Sequence, residues 1–272
     1  YDAKKSEINL KPTSLDVWIQ AENANVSENG FMSALSEFTN KYPQVQIRIT
    51  VIPKAQYVDR LKEAQKANAL PDVYETVSGF NSPVRNLSKL SKYLEKSNYD
   101  GLDFLGSKYF EQIPLTYALP VVYVSKINDG YSESEAKRIY ESALKNGNYE
   151  VDEGEVIRFL KGESAYVVAD TSYYWAVQEQ QGGKYEMKPI PGIDTCQASY
   201  TMAFAIDQNT NMAQYNAAMQ MLYYLLGETA QSKLCIEQHQ NLPLQKNIYE
   251  KYAQLNTEYQ TLETEKANAR FH

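Results

Sequence analysis

Tyr42-Pro43-Gln44-Val45-Gln46-Ile47-Arg48-Ile49-Thr50-Val51-Ile52-Pro53 is the stretch on which the fold turns. Val45, Ile47, Ile49 and Val51 alternate with polar residues, the period of a strand with one face against a core, and Pro53 ends it. Upstream, Phe31, Leu35 and Phe38 recur at spacings of four and three, which predicts a helix that Tyr42-Pro43 closes. Before it, Leu15-Asp16-Val17-Trp18-Ile19 alternates and stops at Gln20, Glu22 and Asn23, a strand running into a polar loop. Downstream, Tyr57, Leu61 and Ala64 line a second helix. Leu70-Pro71 then leads into Asp72-Val73-Tyr74-Glu75-Thr76-Val77, a third strand. Strand, helix, strand, helix, strand predicts an α/β fold with a mainly parallel sheet and right-handed crossovers.

Ser82-Pro83 is the start signal of a further helix, with Val84, Leu87, Leu90 and Leu94 on its inner side. Ala118 to Val124 is apolar enough for a buried strand and is read as the crossing into a second lobe. There, Ser132 and Glu135 stand at capping-box spacing before a helix that Asn146-Gly147 stops. Gly154–Lys161 predicts a short helix, Ser164–Ala169 a strand, Ser172–Gln181 a helix and Tyr185–Ile190 another strand. Tyr200, Met202, Phe204 and Ile206 alternate as one strand returning to the first lobe. Helices over Met212–Leu226, Glu228–Gln238 and Tyr249–Leu255 follow, with Leu242-Pro243-Leu244 extended between the last two. The expected division is a discontinuous first lobe over 12–118 and 196–255, a small second lobe over 119–195 and a polar tail over 256–272.

A chain of 272 residues with 43% hydrophobic and 22% charged residues can bury a sizeable core. Its net charge of −7, with no basic cluster, removes the electrostatic basis for general nucleic-acid binding. No stretch is long and apolar enough to span a membrane and Tyr1 to Lys11 lacks a signal peptide's apolar core, so the protein is expected to be cytosolic or to have lost a targeting segment, the polar opening Tyr1 to Glu7 reading as a tether or as a disordered cytosolic tail. Cys196 and Cys235 allow at most one disulfide and read rather as buried small apolar residues. With His239 and His272 the only histidines, neither a zinc site nor a histidine triad has material, and no metal or other cofactor is expected. Phosphate-loop, nucleophile-elbow, metalloprotease and EF-hand patterns are absent, so no catalytic residue is assigned and no enzyme is expected.

Several local patterns occur in an order that resembles the family-one extracellular solute-binding proteins of ABC importers, the maltose- and sugar-binding group. Phe38 to Val45 resembles that family's link into strand two, Pro71-Asp72-Val73 its entry to strand three, and Leu87 to Leu94 the helix behind it. Phe159 to Tyr166, Pro189-Ile190-Pro191-Gly192 and Asn241 to Lys246 resemble later motifs. The resemblance covers most of residues 12–255. It implies a class II periplasmic-binding-protein-like fold of two lobes with mainly parallel sheets, the second lobe small because little chain lies between the crossing strand and Phe159. It also implies a cell-surface lipoprotein or periplasmic protein that captures a small polar ligand, such as an oligosaccharide, for an ABC permease.

Ligand groups in such a fold are held at the carboxyl ends of strands, and sugars need hydrogen-bonding side chains beside stacked aromatics. The residues that fit are Gln20, Glu22 and Asn23 after strand one, Glu75, Thr76 and Ser78 after strand three, and the trio Tyr173, Tyr174 and Trp175. Trp18 reads as a ligand contact or, inside an apolar strand, as core. Glu22 and Glu75 read equally as solvated carboxylates. The small second lobe also motivates another expectation, a sensor or protein-interaction module that no longer transports.

Overall fold

The computed structural model describes residues 9–21, 30–90, 94, 98–99, 111–145 and 148–271. One compact unit comprises Tyr1–Glu95, Gly106–Ile113 and Ala203–Leu234, and a second comprises Lys96–Leu105, Pro114–Met202 and Cys235–His272. Strands are numbered in chain order.

In the first unit, β1 (Thr13–Ala21) and β2 (Val45–Pro53) run parallel in unbroken register from Thr13 opposite Val45 to Ala21 opposite Pro53. Alternation decides which side of β1 is buried. Leu15, Val17 and Ile19 are at most 2% exposed, while Asp16 on the other face meets the Arg48 guanidinium at 2.7 Å from its register partner. The crossover carries helical residues 30–34 and the helix Ser36–Lys41, with Phe31, Leu35 and Phe38 buried as their spacing predicts. The helix Lys54–Lys66 buries Tyr57 and Leu61 and leads to β3 (Val73–Glu75), parallel to β1. With β4 (Ile113–Pro114) and the antiparallel β12 (Ala203–Ile206) the sheet order is β2-β1-β3-β12-β4. Tyr57, Leu61, Ile52, Tyr74 and Ala205 form a core cluster against which Trp18 packs. The helix Met212–Leu225 follows β12 and starts on a full capping box. Asn211 accepts from the Ala213 and Gln214 amides, and the Gln214 side chain accepts from the Asn211 amide.

The second unit is built on two sheets and a hairpin. β5 (Thr116–Ala118) and β6 (Pro120–Ser125) are consecutive but belong to different sheets. The helix Glu133–Ala143, the hairpin β7 (Leu144–Lys145) and β8 (Asn148–Tyr149), and the helix Glu153–Leu160 precede β9 (Tyr166–Asp170). The turn Thr171–Tyr173 and the helix Tyr174–Gln181 then lead to β10 (Tyr185–Lys188), and β6 lies between β9 and β10, antiparallel to both. The other sheet has the order β13-β5-β11-β14, formed with β11 (Gln197–Tyr200), β13 (Leu242–Pro243) and β14 (Arg270–Phe271). Val122, Ala136, Tyr140, Tyr149 and Val168 pack as one of its core clusters.

Four features differ from the sequence reading. The second unit's strands are not mainly parallel: β9 and β10 run the same way across a helical crossover, but β6 is inserted between them in the opposite direction, and periodicity carries no information on neighbour order. The strand expected over 200–206 is two strands in different sheets, broken at Thr201 and Met202. Ser82-Pro83 opens no helix over residues 82–89, where Val84 instead forms an isolated bridge to Asp207; Leu87, Leu90 and Leu94 are buried all the same. Residues 235–271 lie in the second unit, which is thereby larger than 119–195, and the expected polar tail carries the helix Glu263–Ala267, β14 and the buried Tyr259, Leu262 and Phe271. Glu133–Ala143 opens on Ser132, whose hydroxyl accepts the Glu135 amide as expected; its expected stop, Asn146-Gly147, lies outside the described residues. Cys196 and Cys235 are buried free thiols, and desolvation pushes Cys196 up to about 11.

Candidate functional site

Pairing of β1 with β3 puts Trp18 opposite Tyr74, so Gln20 reaches the carboxyl end of the sheet beside Glu75. Glu75 is 5% exposed. Its carboxylate accepts the Gln20 main-chain amide at 3.0 Å and the Gln20 side-chain amide at 3.2 Å. Burial nevertheless pushes the carboxyl up to about 7, because the Gln20 donors offset only part of the lost hydration. Below the pair, the Tyr57 phenol donates to the carbonyls of Trp18 and Glu75, at 3.1 and 2.9 Å. Gln20 Oε1 is a buried acceptor with no partner. Trp18 is half-buried, its ring on the face that packs against Tyr57 and Leu61. Thr76 is tied to β12, its amide donating to the Ala203 carbonyl at 2.8 Å and its hydroxyl at 3.3 Å. Ser78 is exposed on the turn that continues into Gly79, where φ is +87° and a side chain would be strained. Glu22 and Asn23 lie outside the described residues.

The aromatic trio sits in the second unit at the end of β9. Asp170 caps the turn by accepting the Ser172 amide at 2.8 Å, which sets Tyr173, Tyr174 and Trp175 at the head of a helix. Tyr173 is half-buried. Tyr174 is 2% exposed, with its phenol 3.2 Å from a Glu258 oxygen and its ring 4.9 Å from that of Tyr259. Trp175 is half-buried and donates its indole N–H to the Tyr252 hydroxyl at 3.1 Å. The Tyr252 and Tyr259 rings meet edge to face at 5.0 Å. His239 stands against Trp175 with ring centroids 3.7 Å apart and planes inclined by 54°. Desolvation pushes Tyr252 up to about 12, so its phenol stays a neutral hydrogen-bonding group at ordinary pH.

Thus Gln20 and Glu75 are joined directly in one unit, and Tyr174 and Trp175 adjoin in the other, at 5.1 Å between centroids. His239, Tyr252, Glu258 and Tyr259 were not singled out from the sequence. The signal was there in part, since Tyr249 and Tyr252 are spaced for one face of the helix Lys246–Leu255. Elsewhere, a polar cavity of about 360 Å³ lies at the opposite end of the first sheet, lined by Asp72 and Asp207 among others. An apolar one of about 350 Å³ in the second unit is lined by Ile139, Tyr149 and Val168. Neither contains a residue proposed from the sequence. Among the described residues no group of three potential metal ligands occurs, and no helix is long and apolar enough to cross a membrane.

No protein-family model matches the sequence, and no curated protein does at a significant level. Solved structures do match. An ABC substrate-binding protein from Listeria monocytogenes, solved in complex with cycloalternan, superposes with a TM-score of 0.71 over 96% of this chain and 88% of its own, at 10% identity. An ABC transporter solute-binding protein from Thermotoga lettingae bound with α-D-tagatose gives 0.68 over 95% and 88%, at 14% identity. Maltose-bound MalE3 of T. maritima gives 0.67 over 95% and 89%, also at 14%. The chain therefore has the mixed α/β fold of these periplasmic-binding-protein-like structures.

Proposed function

We propose that this chain is a solute-binding protein that captures a carbohydrate outside the cytoplasm and hands it to an ABC permease, and that it is not an enzyme. The observation that carries the reading is the match of 95% or more of the chain to sugar-bound ABC binding proteins. The chemistry of the candidate residues supports it. A carbohydrate needs acceptors and donors for its hydroxyls and a flat apolar surface for its C–H faces. Gln20, Glu75 and Ser78, with Glu22 and Asn23 beside them in sequence, supply the first; Trp175, Tyr173 and Trp18 supply the second. Thr76 and Tyr174 support these positions, one tied to β12 and the other bonded to Glu258. The two compact units correspond in this reading to two lobes, and a surface lipoprotein or periplasmic location follows from the role.

Isothermal calorimetry and thermal unfolding against maltose, maltotriose and D-tagatose test the proposal. A sugar present at one hundred times its dissociation constant stabilises the fold by about 2.7 kcal/mol. Trp175→Ala should weaken binding at least tenfold. No heat and no stabilisation with any sugar of the panel would overturn the carbohydrate reading, and unchanged affinity in Trp175→Ala would remove the indole from the site.

A further inference from the structure

We propose that His239 is a displaceable cover on Trp175, its imidazole occupying an indole face on which a sugar ring stacks, so that only ligands with a flat pyranose face compete for the place. This deepens the carbohydrate-capture reading and rests on it.

Three observations converge on the pair. The first is distance. Two rings side by side in one plane keep their centroids more than roughly 5 Å apart, because van der Waals contact between the meeting edges adds to the ring radii. At 3.7 Å, with the planes inclined by 54°, the imidazole leans over the indole rather than standing beside it, and the separation is shorter than the 5.1 Å between Trp175 and Tyr174. The second is backbone. His239 has φ +54°, a left-handed conformation that among the described residues other than glycine is shared by Asn68 alone. Asparagine adopts it readily, and Asn68 follows the end of Lys54–Lys66. Histidine, like asparagine, is enriched in this region, so the conformation needs no outside hold and sets the direction in which the imidazole leaves the chain. The third is asymmetry of anchoring. The indole is fixed by its N–H bond to Tyr252 and by Tyr174 at right angles to it, 5.1 Å away. The imidazole, by contrast, is carried on the irregular residues 238–241 between the π-helical turn Ser232–Glu237 and β13, and it is exposed. Of the two rings, His239 is the one free to leave.

The consequence is selectivity. A ligand must regain on the indole what the imidazole gave up, which a pyranose with a continuous C–H face can do and an open-chain polyol cannot. His239 thus sets a threshold that discriminates rings from linear solutes.

The test uses the full chain. In a Trp18→Phe background Trp175 is the single tryptophan. Without ligand, acrylamide should quench its emission about twofold more efficiently in His239→Ala, and His239→Gly, which also frees the backbone, should behave alike. By calorimetry with Trp18 retained, His239→Ala should bind maltotriose about fivefold more tightly, matching the ordinary worth of one aromatic contact, and sorbitol discrimination should narrow. Unchanged quenching in both variants overturns the cover. Maltotriose affinity that is unchanged or weaker in both His239 variants, but lost in Trp175→Ala, overturns it while leaving the carbohydrate reading intact. Absence of maltotriose binding in every form overturns both.

Discussion

Gln20 grips Glu75 with two donors, one from its main chain and one from its side chain, and so joins the ends of β1 and β3 through a carboxylate that water barely reaches. Burial raises that carboxyl from 4.5 to about 7. A group whose pKa is raised by folding contributes stability that is complete below its unfolded value and lost as the pH rises through its folded one. Between pH 5 and pH 8 the wild-type chain should therefore lose about 2–3 kcal/mol of stability through this residue. Urea unfolding at the two pH values checks it, and Glu75→Gln should flatten the difference; an equal pH dependence in the variant would refute the assignment.

The Tyr57 hydroxyl is shared between two carbonyls of neighbouring strands, and Tyr57 is fully buried. Tyr57→Phe keeps the ring packing and leaves those acceptors short of a donor, for an expected loss of about 1–2 kcal/mol. Denaturation with an unchanged m-value would confirm that the loss is local. A stability equal to wild type would show that solvent replaces the phenol.

Tyr252→Phe should act at a distance on ligand binding. The substitution leaves the indole N–H of Trp175 without its acceptor and frees the ring to turn. Maltotriose affinity should fall severalfold and folding stability by about 1–2 kcal/mol. Loss of stability with full affinity would show that the indole keeps its orientation through its ring contacts alone.

The capping box at Asn211 is a purely structural prediction. Asn211→Ala removes the acceptor of two amides and should cost about 1 kcal/mol without altering sugar affinity. Thermal unfolding and calorimetry on the same variant separate the two quantities.

The first unit was legible because its elements are local and periodic. Val45 to Val51 alternates cleanly, and the helices on either side bury Phe31, Leu35, Phe38, Tyr57 and Leu61 as their spacing selects, with Ala64 only partly covered. From strand ends alone, Gln20 and Glu75 could be placed on the same edge of a sheet, although their hydrogen bonds could not. The second unit was less legible for a physical reason: its order is set by pairing between distant strands. β6 inserts between β9 and β10, and β13 and β14 join β5 and β11 from far along the chain. Nothing in the alternation of Val121 to Val124 reports which strand lies beside it. Tyr252 and His239 were missed as partners of Trp175 because spacing can put Tyr252 on a helix face, but it says nothing of which side chain far back in the chain that face meets.

The placement of β12, β13 and β14 bears on how the protein is made. β3 finds its antiparallel neighbour only when Ala203–Ile206 has been synthesised, and β5 and β11, which pair with each other, gain their outer neighbours only with Leu242–Pro243 and Arg270–Phe271. Contacts of such long sequence separation make closure slow, since loop entropy must be overcome before pairing rewards it. A ribosome therefore releases most of this polypeptide before the five-stranded and four-stranded sheets are complete. For a chain of that kind the unfolded interval during synthesis is long.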